Sequence, residues 1–318
     1  MSKKVKWGVL GFARIAQLSV IPAIKKANNS QFYGIASRDE KKLKICQKKF
    51  GCIKAYTSYD QLLDDPDIQA VYIPLPNSLH KKWTIKAAQK GKHVLCEKPM
   101  ALTTEEALQM IDACEKNSVK FMEGFMYRYT DRIKKVKELL GNGIIGEIKF
   151  INSNFRFFLN RENTIKMMPE LGGGSLYDVG CYPIDFVSMI TDKEPTSVLA
   201  EYLYEDGVDI MFSGILKYDN GIMATINSGF NAFDKIYSEI IGTKGIIHIP
   251  DTFLDNAGTI TVTTDEGTDK ISVEECERYV LEIEDFADAI LNDRSPMIKI
   301  EDSIRNMRII DKLLDQRL

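Results

Sequence analysis

The first third of the chain alternates short apolar runs with amphipathic stretches, and this alternation restricts the fold more than any other feature. Residues 5–10 form an apolar run, and 14–28 place Ile15, Leu18, Ile21 and Ile24 on one helical face. Residues 31–37 lead into a charged helix over 40–50, and 70–73 into a helix over about 78–90. The run 93–97 precedes a helix opened by Thr103, with Glu106 at the spacing of a capping box, and 121–124 close the series. Strands alternating with helices predict a parallel sheet with right-handed crossovers, a doubly wound dinucleotide fold.

The pattern changes after a helix near 131–140. Segments around 147–156, 197–205, 208–217, 222–229, 236–242, 245–249 and 259–263 are strand-like, and Asp219-Asn220-Gly221 is a hairpin signal. Many strands with short connections predict a large, mainly antiparallel sheet, with helices on one face and the other open to a partner subunit. Two closing helices, over 280–292 and 301–316, end the chain.

Directly after the first strand stands Gly11-Phe12-Ala13-Arg14-Ile15-Ala16, a G-x-A-x-x-A form of the dinucleotide fingerprint. Gly11 permits the tight turn, Ala13 lets the backbone approach a pyrophosphate, and Ala16 allows close helix–strand packing. The helix N-terminus supplies N–H donors and a positive dipole. The motif is weak alone; its place at the first strand–helix junction strengthens it. The first domain is thus expected to be an α/β Rossmann domain over 1–122, binding the cofactor. The second, an α+β domain over 123–318, is expected to bind substrate and form oligomers, its closing helices packing back on the first. An NAD enzyme tends to place Asp or Glu about twenty residues after the fingerprint. Here Ser37 and Arg38 stand there, with Lys42 a helical turn on, a set suited to a dianionic 2′-phosphate and hence to NADP(H) in preference to NAD(H). The alternative is that Arg38 and Lys42 are solvated residues at a helix start.

Composition excludes other classes. A formal net charge of -3 argues against nucleic-acid or membrane partners, which call for a concentrated basic face. No apolar run approaches a membrane span, and the N-terminus lacks a secretory pattern. The 6 cysteines are scattered without a Cys-x-x-Cys pair, as in a reduced cytoplasmic protein. The 3 histidines form no metal-ligand cluster, so no metal is expected.

Two stretches carry the candidate chemistry. The strand over 93–96 delivers Glu97-Lys98-Pro99 to the carboxyl edge of the sheet, where ligands bind in this architecture. Downstream, Gly172-Gly173-Gly174 leads into a helix on which Asp178, Tyr182 and Asp185 recur at i, i+4 and i+7. Stripes facing a core are apolar, so a polar stripe after a glycine-rich entry points to a ligand-facing surface, with an interface or a cap as the alternative.

Together these motifs resemble the glucose–fructose oxidoreductase / inositol 2-dehydrogenase superfamily (Gfo/Idh/MocA), in the branch of dimeric dihydrodiol dehydrogenase and NADP-dependent D-xylose dehydrogenase. The resemblance covers nearly the whole chain, through residues 7–16, Ala36-Ser37-Arg38-Asp39, Pro74-Leu75-Pro76-Asn77 with His80, Glu97-Lys98-Pro99, Met126-Tyr127-Arg128 and 172–185. It implies that Lys98 lies by the nicotinamide and the reacting oxygen, that Asp178 orients the substrate, and that Tyr182 gives or takes the proton. It also implies a cofactor edge that includes Pro74, Leu75, Asn77, Glu97 and Lys98. His80 reaches that edge or is satisfied locally at a helix start. Tyr127, Arg128 and Asp185 are expected near the substrate. Lys166 stands where the family tends to have Arg, and Tyr129-Thr130-Asp131 departs from the usual pattern after Tyr-Arg, so substrate identity is the part left open. Lys98-Pro99 is often cis in the family.

The chemistry follows from residue types. Oxidising a carbinol removes a hydride from carbon and a proton from oxygen. Tyrosine, with a pKa of about 10, is a poor base near neutrality, and an adjacent ammonium favours its phenolate. The expected function is an NADP(H)-dependent oxidoreductase acting on a sugar, cyclic polyol or dihydrodiol, with a lysine–tyrosine proton relay, as a homodimer or homotetramer. The alternatives are a redox-assisted glycosidase or internal oxidoreductase that retains its cofactor, and an idle NADP-responsive regulator. A pure sensor has no need of Lys98, Asp178 and Tyr182 together.

Overall fold

A computed structural model describes residues 3–160 and 164–316. The chain forms two compact units: Met1–Phe125 with Tyr279–Ser303, and Met126–Arg278 with Ile304–Leu318.

The first unit is built on six strands: β1 (Val5–Leu10), β2 (Ser30–Ala36), β3 (Lys54–Tyr56), β4 (Ala70–Ile73), β5 (His93–Glu97) and β6 (Phe121–Gly124). All pairs are parallel, in the order β3-β2-β1-β4-β5-β6. That is the doubly wound order, and it reverses beside β1, so the ligand crevice lies beyond the carboxyl ends of β1 and β4. The expected strands are present, joined by β3 and a short helix α3 (Tyr59–Asp64) that the sequence pattern does not reveal. The other helices are α1 (Ile21–Lys26), α2 (Glu40–Phe50), α4 (His80–Gln89) and α5 (Thr104–Lys116). Strands β1 and β4 are buried on both faces, as central parallel strands must be. Fully buried Trp7 donates from its indole N–H to Ser30 Oγ at 3.1 Å and lies 5.8 Å from Phe286. Phe286 belongs to α8 (Arg278–Leu291), which also binds the turn before β2 through Glu284 and Asn28. Truncating Trp7 to alanine at such a site costs about 3–5 kcal/mol.

The second unit begins with helix α6 (Asp131–Gly141) and contains an eight-stranded sheet. Its strands are β7 (Ile148–Phe158), β8 (Ser197–Glu205), β9 (Val208–Lys217), β10 (Met223–Gly229), β11 (Asn231–Gly242), β12 (Gly245–Pro250), β13 (Gly258–Thr264) and β14 (Gly267–Val273). The order is β14-β13-β12-β11-β7-β10-β9-β8, antiparallel except for the β7–β10 pair. One face carries α7 (Cys181–Thr191), packed on β7 and β10, and α9 (Ile300–Leu314) completes the unit. On β9, Phe212, Gly214 and Leu216 are buried while Ser213 and Ile215 are exposed, the period-2 signature of a sheet covered on one side. The other face presents Leu199, Leu203, Ile215 and Met223.

Candidate active site

Each strand of the first sheet ends at the edge where its topology places a ligand, and the local sequence explains what is presented there. Gly11 follows β1 with φ at 99°, a conformation L side chains rarely adopt, and its N–H donates to Ala36 O at 2.8 Å. A Cβ there would also meet a Leu75 methyl at 3.2 Å and the Tyr59 hydroxyl at 3.4 Å. Ala13 is half-buried and Arg14 exposed, and a single π turn over Ala16–Val20 carries the chain into α1. Phe12 is buried, edge-on to Phe50 at 6.1 Å, so it packs the turn against α2.

At the end of β2, Ser37 is buried and its Oγ accepts from the Asp39 N–H at 3.1 Å. The Asp39 carboxylate caps α2, accepting from the N–H groups of Lys41 and Lys42. The acid nearest this edge is therefore engaged. Arg38 and Lys42 are exposed, and their side chains make no hydrogen bond or ion pair with other described residues. An open cation pair beside a glycine turn fits a phosphorylated dinucleotide.

Beyond β4 comes Pro74-Leu75-Pro76-Asn77, then a 3-10 turn over Asn77–Leu79 and helix α4, opened by His80. His80 is wholly buried, with Nδ1 2.9 Å from Pro99 O and Nε2 2.8 Å from Leu75 O. Burial outweighs the two carbonyls, which favour the charged ring, and with the Lys98 charge holds the pKa down at about 4. His80 is a brace between the loops that leave β4 and β5. In the second loop, Glu97 accepts from the Tyr72 hydroxyl, Lys98 is partly exposed, and Lys98-Pro99 is cis.

In the second unit the structure separates the expected polar residues into two groups. Asp185 is 0% exposed and fully engaged. Its Oδ2 accepts from the Tyr127 hydroxyl at 2.5 Å and Arg128 Nε at 2.8 Å; its Oδ1 accepts from Arg128 Nη2 and Asn306 Nδ2, each at 2.6 Å. Tyr127 and Arg128 are buried too, and burial, with Asp185 beside it, pushes the Tyr127 hydroxyl well above its ordinary pKa. These three side chains face one another and fasten α7 to the 3-10 turn over Met126–Tyr129 and to α9. Tyr182, on α7, is buried with its ring 5.3 Å from Phe155, 5.4 Å from Phe253 and 6.0 Å from Tyr127, and its hydroxyl 3.6 Å from Met126 Sδ.

Asp178 and Lys166 form the second group, an ion pair with about a fifth of each side chain exposed. The Lys166 ammonium also lies 5.5 Å from the Phe157 ring and 5.9 Å from Phe230. Asp178 sits in a π turn, Leu176–Gly180, that precedes α7; single π turns inside helices recur at functional sites. The glycine run makes this entry possible. Gly174 has φ at 109°, and a Cβ on it would collide with the Asp209 carboxylate. Asp209 is a site residue that the motifs do not reveal. Buried on β9, it accepts from Ser175 Oγ at 2.9 Å and the Leu176 N–H at 2.7 Å, and so holds the start of the segment that carries Asp178 and Tyr182. The signal in the sequence is an acid between Val208 and Ile210, in a run over 208–212 that is otherwise apolar.

No helix among the described residues is long and apolar enough to cross a membrane, and none of their His, Cys, Asp and Glu side chains form a group of three that could hold a metal. Residues 5–125 match an oxidoreductase family with an NAD-binding Rossmann fold, and residues 133–248 match the GFO/IDH/MocA C-terminal domain. A D-xylose 1-dehydrogenase (NADP(+)) of Haloferax volcanii is 36% identical over 315 residues, covering 97% of this chain and 96% of that protein. A trans-1,2-dihydrobenzene-1,2-diol dehydrogenase of Xenopus laevis is 33% identical, covering 98% and 97%. The crystal structure of KijD10, a 3-ketoreductase from Actinomadura kijaniata in complex with NADP and TDP-benzene, superposes with a TM-score of 0.93 at 26% identity, covering 99% of this chain and 98% of that one. A chain with this sheet order, this glycine turn and these full-length relatives belongs to the Gfo/Idh/MocA family of oxidoreductases.

Proposed function

We propose that the enzyme uses NADP(H) to oxidise a carbinol or reduce a carbonyl carbon of a sugar, cyclic polyol or dihydrodiol, with Lys98 and Tyr182 handling the proton. The observation that supports it best is the carboxyl edge of the first sheet, where the Gly11 turn, the uncommitted Arg38 and Lys42, and Lys98 follow β1, β2 and β5. The names of the relatives, a xylose dehydrogenase using NADP(+) and a ketoreductase crystallised with NADP, point the same way.

The bound dinucleotide supplies or takes up the hydride. Arg38 and Lys42 meet the 2′-phosphate, and the Gly11 turn with the following helix start meets the pyrophosphate. Tyr182 takes the proton from the carbinol oxygen in oxidation and returns it in reduction. The Lys98 ammonium favours the phenolate and steadies developing negative charge on the oxygen. Asp178, aligned by Lys166, accepts from a substrate hydroxyl. Tyr127, Arg128 and Asp185 act by holding α7 in place.

The open sheet face, with Leu199, Leu203, Ile215 and Met223 exposed, is proposed as the interface of a homodimer or homotetramer. Six cysteines without a disulfide fit a cytoplasmic enzyme.

Lys98→Met and Tyr182→Phe test the relay. Each is expected to lower kcat by at least ~10², the low end for a lost general acid or base, with NADPH affinity preserved. The double variant should lose little beyond the worse single one. A Tyr182→Phe enzyme with wild-type kcat and pH dependence would end the relay reading.

A further inference from the structure

Tyr59 opens α3 immediately after β3, two elements the fold needs for connectivity but that no motif marks as functional. Its ring is packed: it lies edge-on to Trp83 of α4, with centroids 4.8 Å apart. Its hydroxyl is placed differently. It lies 3.4 Å from where a Cβ on Gly11 would stand, and it makes no hydrogen bond with the other described residues. The Arg38 guanidinium is close enough to act on it electrostatically, counter to the burial that raises its pKa.

These neighbours locate the hydroxyl in cofactor terms. In a doubly wound fold the first glycine of the fingerprint makes the tight turn that leads into the pyrophosphate-binding helix start, and the end of β2, here joined to that turn by the Gly11 N–H donating to Ala36 O at 2.8 Å, reads the adenosine ribose at its 2′ position. Tyr59 borders both. Phenylalanine would pack on Trp83 equally well, so the hydroxyl has no packing role to explain it. A phenol that donates beside a guanidinium suits a phosphate oxygen, because hydrogen bonds to ionised acceptors are the strong ones.

We propose that Tyr59 donates its hydroxyl to the adenosine 2′-phosphate, alongside Arg38 and Lys42, and so helps this enzyme prefer NADP(H) to NAD(H). The inference rests on the cofactor reading above and assigns it a residue that sequence motifs do not supply.

Isothermal titration with two cofactor fragments, 2′,5′-ADP and 5′-ADP, tests it without turnover. Wild type, Tyr59→Phe and Arg38→Ala are compared; Tyr59→Phe keeps the ring on Trp83 and so keeps the fold. Wild type should bind 2′,5′-ADP the more tightly. Tyr59→Phe should weaken 2′,5′-ADP by about ten- to a hundredfold, the worth of one hydrogen bond to a charged group, and leave 5′-ADP within about twofold. If wild type binds both fragments equally, the NADP reading fails and this assignment with it. If wild type and Arg38→Ala behave as expected but Tyr59→Phe keeps the full preference, Tyr59 alone is wrongly assigned. Equal losses on both fragments would place the hydroxyl on the shared part of the ligand and also overturn the proposal.

Discussion

Replacing Arg128 by leucine separates a structural role from substrate binding at the polar stripe of α7. In the folded protein Arg128 is 4% exposed and Asp185 0%, and Arg128 provides two of the four hydrogen bonds on that carboxylate. The variant leaves Asp185 with the Tyr127 hydroxyl and Asn306, neither of which carries positive charge. Removing one member of a buried ion pair costs about 3–5 kcal/mol, because the remaining charge stays desolvated and uncompensated. For a folding unit of this size that corresponds to a fall in Tm of roughly 6–20 °C. Replacing Asp185 by leucine as well should recover much of the loss, since no lone charge then stays buried. Differential scanning calorimetry of the two single variants and the double one measures the coupling directly. The reasoning is refuted if Arg128→Leu melts within a few degrees of wild type while its KM rises sharply. That result would mean the guanidinium meets substrate, as its place in the family motif suggested.

Acid should destabilise the protein through buried His80 and half-buried His93. His80 has its pKa depressed to about 4, so between its unfolded value near 6.5 and 4 the unfolded chain binds more protons than the folded one. Stability is therefore full above about pH 6.5 and falls by about 3 kcal/mol as pH drops to 4, with His93 acting in the same sense. An NMR titration placing the His80 ring near 6.5 would contradict this. Gly174→Ala should cost at least about 1–3 kcal/mol from backbone strain alone, with further loss from displacing Asp209, and an unchanged melting curve would show that the turn relaxes freely. If the exposed sheet face is the subunit interface proposed above, Ile215→Glu should shift sedimentation velocity toward monomer at micromolar concentration; a wild type that sediments as monomer would reject the interface.

The sequence makes visible what local periodicity controls. Strands β1, β2, β4 and β5 announce themselves because central parallel strands are largely apolar, and the edge strand β6 because it is buried along its whole length. The start of α5 is legible because Thr103 Oγ1 accepts from the Glu106 N–H at 3.2 Å, although Glu106 returns its bond to Leu102 rather than to Thr103. Strand β3 escapes because it is three residues long and never fully buried, and β14 because an edge strand reading Gly-Thr-Asp-Lys-Ile-Ser-Val carries almost no apolar pattern. The parallel β7–β10 pair joins segments some seventy residues apart, and nothing in either specifies it.

The polar stripe on α7 shows a different limit. A helix that places Asp178, Tyr182 and Asp185 at i, i+4 and i+7 must satisfy three polar groups on one side, and sequence spacing cannot say by what. The partners of Asp185 lie 57, 58 and 121 residues away, so its saturation is a tertiary fact. The π turn over Leu176–Gly180 breaks the regular winding between Asp178 and Tyr182, so the three do not share one environment. Asp178 emerges with a fifth of its side chain exposed, beside Lys166, while Asp185 is closed off. A carboxylate that already accepts four hydrogen bonds inside the fold is well suited to fixing the helix that carries it. The buried end of the stripe fastens α7 through four hydrogen bonds on Asp185, and such fixed placement is what the proton transfer proposed for Tyr182 would require, since a displacement of about 1 Å at a reacting centre can cost ~10²-fold in rate.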